Sequence, residues 1–172
     1  MFLSTHALAG IIISQHFTNV PVALGLGVLS HYILDMIPHG DERLGAWVKE
    51  KFIRRFALTF LTDLGFLALF VYTVHVTGDW PLPNVALAAI VGAVLPDLIW
   101  AVYDAYRVLL IKHFPRATKI IQDVTRLESF FNHHERLHRW FHAYIEKRLT
   151  FKVGLAVQVI LAGGLLYLSV HP

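Results

Sequence analysis

The sequence predicts an all-α, multi-pass transmembrane helical bundle with an amphipathic helix on its cytoplasmic side, and three observations carry that prediction. Of 172 residues, 56% are apolar and only 16% charged, with a mean hydropathy of +0.56. A soluble domain has roughly 45–50% apolar and about 25% charged residues. A chain of this size cannot bury so much apolar side chain unless part of its surface faces lipid. The apolar residues also gather into runs of roughly 20 residues, enough at about 1.5 Å per residue to cross a hydrocarbon core. Finally, all 15 Lys and Arg fall into two of the intervals between those runs.

Four runs qualify as spans: Pro21 to Ile37, Phe56 to Val76, Val85 to Val108 and Val153 to Val170. A shorter apolar stretch, Ala7 to Phe17, comes first, and its length leaves open a re-entrant or shallow helix or one that spans with its neighbour. It is separated from the first span by Thr18-Asn19-Val20-Pro21, a helix stop followed by a proline at a helix start. The N-terminus lacks the basic region and cleavage site of a secretory signal, so it is read as part of the fold. Trp80-Pro-Leu-Pro-Asn84 breaks the helical pattern and places a tryptophan at a membrane-surface turn. Residues 117–147 carry charge throughout, yet Ile120, Val124, Leu127, Phe131, Leu137, Trp140, Phe141 and Tyr144 recur at threes and fours. That pattern makes an amphipathic interfacial helix. No linker divides the chain, so residues 1–172 are read as one membrane-embedded domain.

Charge placement orients the bundle. Arg43, Lys49, Lys51, Arg54 and Arg55 lie between the first two spans, and the other ten lie between the third and fourth, from Arg107 to Lys152. The positive-inside bias puts both basic loops in the cytoplasm, with the Trp80 turn and the C-terminus outside. This implies an inner (plasma) membrane protein whose partners are membrane lipid and not nucleic acid, since the net charge of +3 is small.

Several polar residues are out of place in lipid. The chain has 11 histidines and no cysteine, so any metal must be held by nitrogen and oxygen. His31, Asp35, Asp63 and Asp97 sit inside or at the ends of spans, where an aspartate at the helix centre costs about 2.5–3.5 kcal/mol. Carboxylates gathered in low dielectric need a cation, and imidazoles gathered with them point to a metal. His31 and Asp35, four residues apart, share one helix face. His39 follows in Pro38-His39-Gly40-Asp41, a turn that offers further ligands, and His6 opens the first apolar stretch. In the amphipathic segment, histidines recur at 134, 138 and 142, with Glu135 beside them and His133 pointing away. His6, His31, Asp35, His39, Asp63 and Asp97 are therefore the candidate metal ligands, and His134, His138 and Glu135 the candidate acids and bases.

Thr5-His6-Ala7-Leu8-Ala9-Gly10, the Gly27-to-Asp35 stretch with Ser30-His31 and Leu34-Asp35, Pro38-His39-Gly40, and Gly92-Ala93-Val94-Leu95-Pro96-Asp97 resemble the bacterial membrane-bound metal-dependent hydrolase family. The resemblance covers short stretches of the first 100 residues. It departs from the family where Asp97 is followed by Leu98-Ile99-Trp100 instead of a second aspartate and a histidine, and in the order of the motifs. It implies an inner-membrane hydrolase with a ligand pattern like that of zinc-dependent phospholipase C.

Together these features lead to the expectation of a hydrolase with two or three divalent cations, zinc foremost, acting on a phosphoester or other amphiphile at the cytoplasmic membrane face. A metal-acidified water would be the nucleophile, and Arg136 and Arg139 would attract phosphate. Three other classes are consistent with parts of the pattern. One is a small transporter using Asp63 and Asp97 as a proton or cation relay. The second is a di-iron oxidase built on the histidine run, and the third a non-catalytic membrane adaptor with hydrogen-bonded carboxylates.

Overall fold

The computed structural model describes residues 1–39, 52–77, 83–106, 127–143 and 149–172. These form six helices and no strand among the described residues: α1 (Leu3–His16), α2 (Val20–Asp35), α3 (Phe52–Thr77), α4 (Pro83–Ala105), α5 (Leu127–Ala143) and α6 (Phe151–Val170). The all-α membrane bundle read from the sequence is what the chain forms. Gly40, Asp41, the Trp80 turn, the outer parts of the 117–147 segment and most of the basic residues lie outside the described residues, as do the side chains of Asp104 and His142.

Among the described residues, three stretches are long and apolar enough to cross a membrane: Arg54–Thr77, Pro83–Tyr103 and Lys152–Val170. Their outward faces carry large apolar side chains, Leu61 at 63% and Ile160 at 75% exposure, as lipid-facing residues do. The second helix falls short of the span expected of it. With 16 residues it is about 24 Å long, below the roughly 30 Å hydrocarbon core. Asn19 caps it by accepting from Val22 N at 3.1 Å, and Pro21 sits in its first turn.

α1 is not shallow. Ser4 to Ile11 are all buried, and the helix runs through the middle of the bundle, touching α2, α3, α4 and α6. Leu8 and Ile11 pack with Val74 of α3 and Leu165 of α6. This central placement creates a problem at its first turn, where backbone N–H groups have no helical partner and Phe2 offers no side-chain cap. Neighbouring helices supply the acceptors. Asp63 of α3 accepts from Leu3 N at 2.6 Å and Ser4 N at 3.1 Å, and Gln158 of α6 accepts from Phe2 N at 2.9 Å.

Asp63 is thus a cap delivered from another helix, with both oxygens engaged by main chain. Among the described residues it stands outside the group of His31, Asp35, Asp97 and His138 that could hold a metal, and its carboxylate serves the uncapped turn of α1 instead. Asp63→Ala is expected to cost about 2–4 kcal/mol of stability, from two buried donors left unmet. The thermal midpoint in detergent should fall, while metal per folded chain stays unchanged. Loss of metal at unchanged stability would return Asp63 to the ligand set.

α2 and α4 form the closest helix pair. A Cβ at Gly27 would run into the Ala89 carbonyl, and one at Gly92 into the Leu24 carbonyl. The two small-residue stretches of these helices therefore lie against each other, backbone to backbone. This contact sets the registry of His31 and Asp35 against Asp97, each within eight residues of the glycine on its own helix.

Candidate metal centre

Four side chains from three helices converge at the end of the bundle where α2 and α4 finish and α1 begins. They are His31 and Asp35 of α2, Asp97 of α4 and His138 of α5, and one ligand atom from each lies within 4.8 Å of all the others. His31 Nε2 is 3.0 Å from Asp35 Oδ2 and 3.9 Å from Asp97 Oδ1. His138 Nε2 is 3.1 Å from Asp35 Oδ2, 3.3 Å from Asp97 Oδ1 and 3.4 Å from His31 Nε2. A tetrahedron with metal–ligand bonds of about 2.0–2.1 Å has edges of roughly 3.3–3.4 Å. These five distances lie around that edge, and all four atoms are within 4.8 Å of one another, close enough for one small divalent ion to draw them together.

The surrounding groups prepare the ligands. His31 Nδ1 lies 2.8 Å from the Ala93 carbonyl, which can only accept, so Nδ1 carries the proton and Nε2 turns its lone pair into the cluster. The i, i+4 spacing of His31 and Asp35 on α2 does the same work locally. α5 is held over the site by two ring stacks, Phe141 on Tyr32 at 4.7 Å and Phe131 on Tyr103 at 4.4 Å. His138 therefore points inward, while Phe130, Leu137 and Trp140 remain exposed on an adjacent face and Arg136 and Arg139 on the polar one. That arrangement suits a helix lying at the interface of the bilayer with water.

Burial opposes a charge on His138, but hydrogen bonds to Asp35 and Asp97 outweigh it and push its pKa up to about 9. A metal must displace that proton. Metal affinity is therefore expected to rise with pH, by up to about tenfold per unit between roughly pH 7 and pH 9, and to level off above. Chelator competition across that range measures it, and an affinity flat from pH 7 to 9 would contradict the assignment of His138 as a ligand.

The remaining candidates divide into neighbours and outsiders. His6 is fully buried, with Nε2 3.3 Å from Asp35 Oδ1 and 3.8 Å from Asp97 Oδ2, yet neither ring nitrogen has a hydrogen-bond partner among the described residues. His39 directs Nε2 towards Asp35 Oδ1 at 3.9 Å and the Met1 amino nitrogen at 2.9 Å, with Nδ1 on the Ile37 carbonyl at 2.6 Å. The Met1 nitrogen is itself 3.4 Å from Asp35 Oδ1. Of the expected acids and bases, His138 is a member of the cluster. Glu135 instead faces Arg139 at 3.8 Å, one turn along α5 on its polar side. His134 stacks on His138 with ring centroids 5.8 Å apart, and its buried Nε2 has no hydrogen-bond partner among the described residues. Burial, then the nearby His138 and His31, hold its pKa down. His133 is exposed, bonded to the Ser129 carbonyl.

Gln158 is absent from the candidates that the sequence offers. Besides capping Phe2 N, it donates through Nε2 to the His39 carbonyl at 3.0 Å, tying α6 to both sides of the site. Its signal is an amide standing alone in the otherwise apolar run from Val153 to Val170. Scans of the chain against protein-family models, curated proteins and solved structures find no match.

Proposed function

We propose that this chain is a metal-dependent hydrolase of the inner membrane, acting on an anionic phosphoester or related amphiphile at the cytoplasmic face. The observation that carries the reading is the close grouping of His31 Nε2, His138 Nε2, Asp35 Oδ2 and Asp97 Oδ1, all within 4.8 Å of one another. Two imidazole nitrogens and two carboxylate oxygens, with no thiolate in the chain, suit zinc and also harder divalent ions such as manganese. The unpartnered nitrogens of buried His6 fit the same reading, since a metal centre gives such atoms a purpose.

Placement supports the substrate class. The site lies beneath an amphipathic helix whose apolar face is exposed and whose polar face carries Arg136 and Arg139, cations suited to a headgroup phosphate. The described Arg54, Arg55 and Lys152 flank the same end of the bundle, which the positive-inside bias makes cytoplasmic.

When bound, a divalent ion at these ligands would lower the pKa of a coordinated water and draw charge from a phosphoryl oxygen. The chain's own residues supply the rest. His31, with its Nδ1 fixed on Ala93, and His138, fixed under α5, hold the ligand geometry. His134, kept neutral by burial, with an unengaged Nε2 and stacked on His138, would take a proton from water as its oxygen adds to phosphorus. The ester P–O bond then breaks, and the same imidazole returns that proton to the leaving oxygen.

The test is turnover of a fluorogenic phospholipid in mixed micelles by metal-loaded protein. Hydrolysis is expected in the wild type, with a loss of about 10²- to 10⁴-fold in His134→Gln at unchanged metal content. Fully loaded wild type that cleaves neither a lipid phosphoester nor a soluble one would overturn the hydrolase reading.

A further inference from the structure

The four-ligand cluster uses only one oxygen of each carboxylate. Asp35 Oδ2 and Asp97 Oδ1 face His31 and His138. The other two oxygens, Asp35 Oδ1 and Asp97 Oδ2, face His6 Nε2 at 3.3 and 3.8 Å. The His6 and His31 rings stack with centroids 4.1 Å apart and planes 27° from parallel, so each imidazole addresses the same two carboxylates through a different pair of oxygens. His39 Nε2 also approaches Asp35 Oδ1, at 3.9 Å, and lies 2.9 Å from the Met1 amine, with its Nδ1 held on the Ile37 carbonyl.

We infer that a second divalent cation binds beside the first, held by His6 and His39 and bridged to it by the remaining oxygens of Asp35 and Asp97. This rests on the metal centre proposed above and adds a site to it. Distances of 3.3–3.9 Å from Asp35 Oδ1 and Asp97 Oδ2 to the imidazole nitrogens match the edge of a tetrahedral or slightly larger coordination shell, as they do on the first side. Two carboxylates that each offer one oxygen to each ion place the pair about 3.5–4 Å apart, the separation of two-metal hydrolytic sites.

His6 itself is a second observation, its Nε2 in charge contact with Asp35 Oδ1 at 3.3 Å and its Nδ1 with no partner among the described residues. Its side chain has no solvent exposure, and both ring nitrogens lack a hydrogen-bond partner among the described residues. A buried imidazole in that state is an unmet cost unless something else takes its lone pair. A cation at this position removes the cost and takes over from the Met1 ammonium, which lies 3.4 Å from Asp35 Oδ1 and 2.9 Å from His39 Nε2. Two divalent ions over two carboxylates leave a net charge of +2, which attracts an anionic phosphoester and not a neutral ester.

The probe is manganese(II) loaded into the full-length, detergent-solubilised protein, with bound metal counted by mass spectrometry and coupling read by electron paramagnetic resonance. Wild type is expected to hold two equivalents with an exchange-coupled spectrum. His6→Gln is expected to hold one, with the six-line spectrum of an isolated ion, and His39→Gln to weaken the second equivalent at least tenfold while keeping the first. A wild type that binds one equivalent and shows only the six-line spectrum overturns the second site and leaves the first standing, with His6 and the Met1 amine simply filling the space. Two coupled ions retained in His6→Gln would overturn the second site as well. Wild type that binds none overturns the metal centre itself.

Discussion

Asp35→Asn is expected to abolish stable metal binding while leaving a folded bundle. Asp35 is the hub of the site: its carboxylate lies within 3.0–3.9 Å of His31, His138, His6, His39 and the Met1 amine, all buried with it. The amide keeps the shape but removes the charge and turns one acceptor into a donor that faces imidazole nitrogens. Removing one partner of a buried charged pair costs about 3–5 kcal/mol, which corresponds to roughly 10²- to 4 × 10³-fold in affinity. Isothermal titration with zinc or manganese reads the change directly. His138 would lose one of the two hydrogen bonds that hold its proton, so its titration should move down from about 9 in the metal-free variant. Affinity within tenfold of wild type would show that the cation is held elsewhere.

The second large effect is expected at glycines that themselves offer no ligand atom. Gly27→Leu or Gly92→Leu should separate α2 from α4, because the added side chain meets main chain on the facing helix, at Ala89 or Leu24, and main chain cannot rotate away. The cost is about 3 kcal/mol or more, the upper end of overpacking penalties. His31 and Asp35 would be pulled away from Asp97, so both metal and monodisperse protein should be lost. Gly25→Leu, two residues from Gly27 on the same helix but with nothing within 4 Å, is the control and should retain both. Size-exclusion chromatography with metal analysis of the peak fraction separates these outcomes. Equal behaviour of Gly25→Leu and Gly27→Leu would mean that the close α2–α4 contact does not organise the site.

Much of this arrangement was legible in the residues, for a physical reason. Lipid tolerates few charges, so His31, Asp35 and Asp97 stood out against their apolar runs, and a period of four put His31 and Asp35 on one face before any tertiary contact was known. The helix boundary at Asn19 and Pro21 was equally local, a matter of one capping amide and one fixed φ. What could not be read depended on which helices meet. Asp63 looks like its fellow aspartates in sequence, and only the position of α1's uncapped first turn makes it a cap. The histidines at 134 and 138 are equivalent by spacing, and the rotation of α5 against Tyr32 and Tyr103 decides that 138 enters the cluster and 134 stands behind it. α1 read as shallow because its run is short. Its burial on nearly every face comes from the four helices around it, which no pattern within residues 3–16 encodes.

The central claim is a position: a divalent metal at the junction of α2, α4 and α5. Anomalous diffraction from crystals of the zinc-loaded protein, collected on both sides of the zinc absorption edge, tests it most directly. The expected result is a peak within about 2.0–2.2 Å of His31 Nε2, His138 Nε2 and a carboxylate oxygen from each of Asp35 and Asp97. A map with no peak there, or with zinc bound only at other residues of the chain, would contradict it.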